Sequence, residues 1–202
     1  MSQDQTNSTD RRTFLQASTL ATAAAVSAAG GVSEAQDAPA KAAVLPKRKL
    51  GRTGLEITML EMGTGALREK GVLNRLIRQS YAAGVRTFDT ARAYGTEPGF
   101  KEFLAEKPEV RKEIVLVTKD NPKKPADMVA QLDKRLEALG TDYIDVFMIH
   151  GLGDEHPLDE AMNFVKSDDF KSIVSAIKKS GKAKFIGFST HHRSRAQIME
   201  AA

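Results

Sequence analysis

Four side chains able to move a proton stand at the ends of apolar runs in this 202-residue sequence. "VRTFDTA" delivers Asp89, and Tyr94 follows five positions on in "FDTARAYG". "EIVLVTK" ends in Lys119, and "YIDVFMIHG" delivers His150. A carboxylate, a phenol, an ammonium and an imidazole form a set suited to general acid–base chemistry. Two further runs end in small or hydroxylated residues: "MLEMGTGA" in Gly63–Thr64–Gly65, and "AKFIGFST" in Ser189–Thr190. Lys119 alone reads as a solvated loop residue and His150 as an exposed strand end. A polar exit after every one of these runs points to a common rim.

The elements between the runs fit that rim. "VLNRLIRQSYAAG" places Leu73, Leu76, Ile77 and Ser80 on one helical face and closes with Gly84. "PADMVAQLDKRLEALG" has Met128, Val129, Leu132, Leu136 and Leu139 in one stripe, with Pro125 at its start and Gly140 at its end. "FKSIVSAIKKSG" repeats the pattern with Phe170, Ile173, Val174 and Ile177 inward. The β-branched run 113–119 has the composition of a strand covered on both faces. Strands alternating with helices imply parallel βα units. No GxGxxG turn accompanies them, and periodicity alone leaves the doubly wound and barrel forms open. Polar residues collected at the strand ends favour the barrel, whose sites are built at that rim from several strands.

Composition narrows the function classes. The chain is 41 % hydrophobic with a net charge of +4, and its only basic cluster, Lys47–Arg48–Lys49, has no nucleic-acid motif beside it. It has no cysteine, hence no disulfide framework and no thiolate metal site. Its four histidines (His150, His156, His191, His192) lack metal-ligand spacing, so no metal is expected. His156, His191 and His192 read as loop residues. The N-terminus, "TDRRTFLQASTLATAAAVSAAGGVSEAQ", pairs Arg11–Arg12 with a moderately apolar Ala/Ser/Thr-rich stretch. It resembles a twin-arginine export signal, with Asp10 and Gln16 departing from the usual pattern. The expected organisation is a signal at 1–35, a linker at 36–46 and a domain at 47–202. The expected location is the periplasm, or the cytoplasm if the signal is unused. The apolar stretch is too diluted to predict a stable membrane span in the mature chain.

"FDTARAYG", "VTK", "DYIDVFMIH" and "KFIGFST", in this order and spacing, resemble the aldo-keto reductases, and "RKLGRTGLEIT" is similar to their N-terminal hairpin. The resemblance covers residues 46–202. It implies a (β/α)8 TIM barrel, of which this chain carries the hairpin and about five of eight parallel strands. It also implies NADP(H)- or NAD(H)-dependent interconversion of a small carbonyl compound and its alcohol, without a metal. The implied catalytic residues are Asp89, Tyr94, Lys119 and His150. Tyr94 would be the proton donor. A free phenol ionises only near pH ~10, and the neighbouring ammonium of Lys119 would favour its phenolate. Asp89 would hold Lys119, and His150 would orient the carbonyl. Ser189 and Thr190 would bind the nicotinamide carboxamide, and Gly63, Thr64 and Gly65 would let its ring approach the backbone. The family's later strands, which carry an aromatic against the nicotinamide and a clamp for the 2′-phosphate, have no counterpart in this sequence. Three expectations follow: a reductase impaired by truncation, a non-catalytic binding or assembly module, or an enzyme completed by another chain. Open sheet edges would favour self-association.

Overall fold

A computed structural model describes residues 45–67, 70–155 and 157–202. The twin-arginine-like segment, most of the linker and His156 lie outside the described residues.

The hairpin forms where the two short extended pieces flank Gly51 and Gly54. β1 (Lys47–Lys49) pairs antiparallel with β2 (Glu56–Thr58), Lys49 opposite Glu56. Gly51 and Gly54 take positive φ angles of 51° and 75° in the connecting turn, a conformation that favours glycine. The basic cluster is β1 itself, exposed along its length.

A five-stranded parallel sheet follows: β3 (Met62–Gly63), β4 (Thr87–Asp89), β5 (Val115–Asp120), β6 (Ile144–Ile149) and β7 (Ala183–Phe188). The strands lie in the order β3-β4-β5-β6-β7. A doubly wound sheet reverses its strand order at a switch point. Here each strand pairs only with its sequence neighbours, as in the wall of a barrel. The helices are α1 (Leu73–Ala82), α2 (Glu97–Glu106), α3 (Asp127–Leu139), α4 (Leu158–Lys166), α5 (Asp168–Ser180) and α6 (Arg195–Ala201). Among the described residues no helix is long and apolar enough to cross a membrane.

Alternation along the strands gives the sheet two different faces. Phe88, Leu116, Phe147 and Ile149 are fully buried in one core with Leu73, Ile77, Phe100, Phe103, Met128, Leu132, Leu136 and Leu139 of α1, α2 and α3. The opposite face carries Asp89, Val117, Lys119, Val146 and Met148, with Val117 beside Val146 and Lys119 beside Met148. Of its apolar residues, Val117, Val146 and Met148 are half-buried, while Val115 and Ile144, farther from the rim, are buried. In β5 every residue but Val117 is buried, as expected of a strand covered on both faces.

The helix stripes need one adjustment. In α3 the buried positions are Met128, Leu132, Leu136 and Leu139, while Val129 turns outward and is 36 % exposed. In α5 the expected stripe does face inward: Ile177 is fully buried, and Phe170, Ile173 and Val174 pack half-buried against the core. Two helices lie in stretches where the sequence reading placed none. α2 begins Glu-Pro-Gly, which resembles a turn, yet Phe100, Phe103 and Leu104 form its buried face. Gly99 lets α1 pack closely, since a Cβ there would lie 2.5 Å from Leu73 Cδ2. α4 follows the loop that contains His156, and Ala161 and Val165 bury it.

A buried ion pair closes the end of the sheet remote from the polar rim. Asp145 Oδ2 accepts hydrogen bonds from Arg111 Nη2 at 2.8 Å and from the Leu116 amide at 3.0 Å. Asp145 Oδ1 accepts from Lys184 Nζ at 2.7 Å. Removing one partner of a buried pair strands the other charge. Asp145→Ala is expected to destabilise the fold by about 3–5 kcal/mol, the usual range for such a loss. Urea unfolding measures it, and a loss below about 1 kcal/mol would mean that the pair is worth no more than a surface contact.

Candidate active site

The strand ends set the site. Asp89 is the last residue of β4, Lys119 the penultimate residue of β5, and His150 follows β6 directly. Tyr94 closes a short 3-10 turn, Arg92–Tyr94, that folds back over the rim. Lys119 Nζ donates to both carboxylate oxygens of Asp89, at 2.5 and 2.6 Å, and to the Thr90 carbonyl at 3.1 Å. Lys119 is only 6 % exposed, and these three acceptors match its three N–H bonds. Its Nζ lies 5.1 Å from the centroid of the Tyr94 ring, within cation–π range. The His150 ring meets the Tyr94 ring edge-on, with centroids 5.5 Å apart and planes at 88°. The His150 amide donates to the Asp120 carbonyl at 2.8 Å, which continues the β5–β6 ladder one residue beyond the strand. The four residues singled out by sequence thus share one site.

The hydroxylated and glycine positions divide. A Cβ on Gly63 would meet nothing within 4 Å, so the space over it is open. At Gly65 that space is filled: a Cβ would lie 3.0 Å from Tyr94 Cζ. Thr64 is buried, with its hydroxyl bonded to Asp89 O at 3.1 Å and to Thr96 Oγ1 at 2.8 Å. The Thr64 side chain therefore faces its own loop rather than the open face. Ser189 Oγ accepts from the Gly151 amide at 3.1 Å, and its proton has no acceptor among the described residues. Thr190 Oγ1 points to Asp154 Oδ1 at 3.4 Å and accepts from the His192 amide at 3.0 Å. His191, expected as a loop histidine, is exposed but bonded to Asp154 Oδ2 at 2.7 Å.

Several supporting residues escaped the sequence reading. On the helix side of the rim, Asp120 Oδ1 accepts from Arg92 Nη1 at 3.2 Å, and Asp120 Oδ2 lies 3.1 Å from Arg135 Nε. Arg135 Nη1 donates to Glu97 Oε2 at 2.5 Å, and Thr118 Oγ1 donates to Glu97 Oε1 at 2.8 Å. This chain of charges ties the turn bearing Tyr94 and the strand bearing Lys119 to α2 and α3. Charged residues on amphipathic helices look like solvated positions, so the sequence alone did not reveal it. Glu61, two residues before Gly63, is a further acid near the site. Burial, and then repulsion by Asp89, push its carboxyl above the ordinary 4.5, with Lys119 acting in the opposite sense.

Beside His150 a cavity of about 240 Å³ opens between the loops after β5 and β6. Asn121, Lys123, Asp154, Glu155 and Phe164 contribute to its walls. Among the described residues no three His, Cys, Asp or Glu side chains gather as metal ligands.

An ammonium, a phenol and an imidazole thus converge at the ends of sequential parallel strands of an α/β fold. Residues 60–202 match the model of the aldo/keto reductase family, and the chain belongs to that family. It is 27 % identical over 172 residues to L-glyceraldehyde 3-phosphate reductase of Escherichia coli K12, covering 75 % of this chain and 47 % of that protein. It is 32 % identical over 105 residues to D/L-glyceraldehyde reductase of Hypocrea jecorina, covering 48 % and 31 %. A holo-form aldo-keto reductase structure from Bacillus halodurans superposes with a TM-score of 0.61 at 23 % identity, over 76 % of this chain and 53 % of that one. The chain spans about half the length of the first of these relatives.

The imidazole supplies a test of the geometry. Burial, and then the Lys119 ammonium, hold the His150 pKa below the ordinary 6.5, while the Asp89 carboxylate pulls it up. With the folded value depressed, the neutral ring's contribution to stability is complete above about 6.5 and is lost as pH falls through the folded value. Proton NMR of the histidine rings should place the His150 midpoint below 6.5. Lys119→Met should raise that midpoint and Asp89→Asn lower it. Shifts of the same sign in both variants would show that the two charges do not act on His150 as placed here.

Proposed function

We propose that this chain carries the proton-transfer machinery of an NAD(P)(H)-dependent reductase acting on a small hydroxylated aldehyde or ketone. The observation that carries the reading is the phenol of Tyr94 bracketed by a fully paired, buried Lys119 and by a ring-to-ring contact with His150.

The residues present fit a nicotinamide at two points: the open space over Gly63 and the undirected proton of Ser189. Gly63 would accept the close approach of the ring, and Ser189 would donate to its carboxamide. Thr64 and Thr190 have hydroxyls already engaged within the protein and would contribute through the main chain only. A nicotinamide held there would supply the hydride for the carbonyl carbon. The chain's own residues handle the charge that then develops on oxygen. Tyr94 donates its phenolic proton to that oxygen. Lys119 stabilises the phenolate left behind, and Asp89 aims the ammonium by accepting two of its hydrogen bonds. His150, neutral because of burial and Lys119, donates a hydrogen bond that orients the carbonyl without competing as an acid. The adjacent cavity, about 240 Å³ with an amide, an ammonium and carboxylates in its walls, suits the hydroxyl-bearing remainder of a small sugar-like substrate. The names of two similar proteins, both glyceraldehyde-type reductases, agree with that substrate class.

With DL-glyceraldehyde and NADPH, followed by loss of nicotinamide absorbance, Tyr94→Phe should reduce turnover by on the order of 100-fold or more, the scale of a lost general acid. Turnover retained by a folded Tyr94→Phe protein would overturn the assignment.

Residues 1–35 are proposed to direct export by a twin-arginine route, from the Arg11–Arg12 pair and the apolar stretch after it. Mass spectrometry of the protein recovered from the periplasm should find an N-terminus near Ala35 when both arginines are present, and no periplasmic protein in Arg11→Lys/Arg12→Lys. Periplasmic protein that survives the double change would exclude the route.

A further inference from the structure

The segment leaving β3 touches the loop of Tyr94 at two separate places. The first is a chain of buried hydroxyls. Thr64 Oγ1 donates to Asp89 O at 3.1 Å and lies 2.8 Å from Thr96 Oγ1, which lies 2.8 Å from Thr90 Oγ1. Each hydroxyl has one proton. With Thr64's proton committed to Asp89 O, Thr96 must donate to Thr64 and Thr90 to Thr96. The chain runs in one direction and links both ends of the loop, Thr90 and Thr96, to β3. All three threonines are 1 % exposed or less.

The second place is Gly65. A Cβ there would stand 3.0 Å from Tyr94 Cζ, 3.2 Å from Cε2 and 3.3 Å from Cε1. Cζ carries the phenolic oxygen, so the missing side chain faces the reactive end of the ring. Gly65 is not among the positive-φ glycines, so its backbone accepts an L side chain and the requirement is one of space. The ring has little freedom to retreat. His150 stands edge-on to it at 5.5 Å between centroids, Lys119 Nζ is 5.1 Å from its centroid, and the loop's ends are fixed by the threonines.

We infer that Thr64 and Gly65 are positioning residues for Tyr94: the hydroxyl chain fixes the loop's ends, and the bare Cα of Gly65 is the seat of the phenol. The catalytic consequence rests on Tyr94 being the proton donor proposed above; the seating itself does not.

The test uses the whole chain, with Gly65→Ala, Gly65→Val, Thr64→Val and Thr64→Ser. Histidine ring protons are followed by NMR, with the His150 signals assigned through His150→Gln, and thermal unfolding and glyceraldehyde reduction are measured alongside. Gly65 is exposed, so both Gly65 variants should unfold near the wild-type temperature. Their His150 signals should move, because the Tyr94 ring beside them has moved. Turnover should fall about tenfold for Ala and about 100-fold for Val with KM little changed, following the scale on which a misplacement of about 1 Å costs about 100-fold. Thr64→Val should shift the same signals, and Thr64→Ser should restore them. His150 signals in Gly65→Val that coincide with wild type would overturn the inference, as would a folded Thr64→Val indistinguishable from Thr64→Ser. If the unmodified chain shows no turnover, the reductase reading fails while the His150 signals still decide the seating.

Discussion

An ammonium with 6 % exposure is tolerable only when its protons are all claimed, and Lys119 meets that condition through Asp89 and the Thr90 carbonyl. The pair dictates much around it. β4 and β5 must stand in the register that puts Asp89 beside Val117, because a slip of one residue would turn either partner to the helix side. The chain must also bend straight after Asp89 so that the Thr90 carbonyl turns inward. That bend starts the loop that returns Tyr94 to the same charge.

The two faces of the sheet cooperate in this. On the helix side, Asp120 and Glu97 bind the arginines of the rim and of α3, and Thr118 donates to Glu97. On the other side, one residue out of step, Lys119 faces the site. Alternation along a single strand thus separates a structural set of charges from a chemical one, and each stabilises the backbone that presents the other. A polar network of this kind fixes a unique geometry only when its members are satisfied.

The fold was legible where apolar periodicity and glycine punctuation agreed: the hairpin, α1, α3, α5 and the parallel strands. It was illegible where the two conflicted. α2 hides behind Glu-Pro-Gly, and its Gly99 answers to the packing of Leu73, a contact from another element. In the site, Asp89, Tyr94, Lys119 and His150 could be read because strand ends are marked by the runs before them. The roles of Thr64 and Gly65 could not. Whether a hydroxyl or a bare Cα faces a bound molecule or the protein's own loop depends on the direction of a turn, which residue type does not encode. Thr90 and Thr96 were invisible for the same reason, and Glu61 because its environment is made by strands distant in sequence.

The strict neighbour order of the strands has a consequence for how the molecule is made. Among the described residues no strand of the parallel sheet waits for a distant partner: β4 pairs with β3, β5 with β4, and so on. Loop-closure entropy then enters in modest, similar steps rather than in one large one. During synthesis each strand leaves the ribosome after its partner, so the sheet can grow by accretion from its N-terminal edge. Asp89 would be in place before Lys119 emerges, and the counter-ion would await the cation.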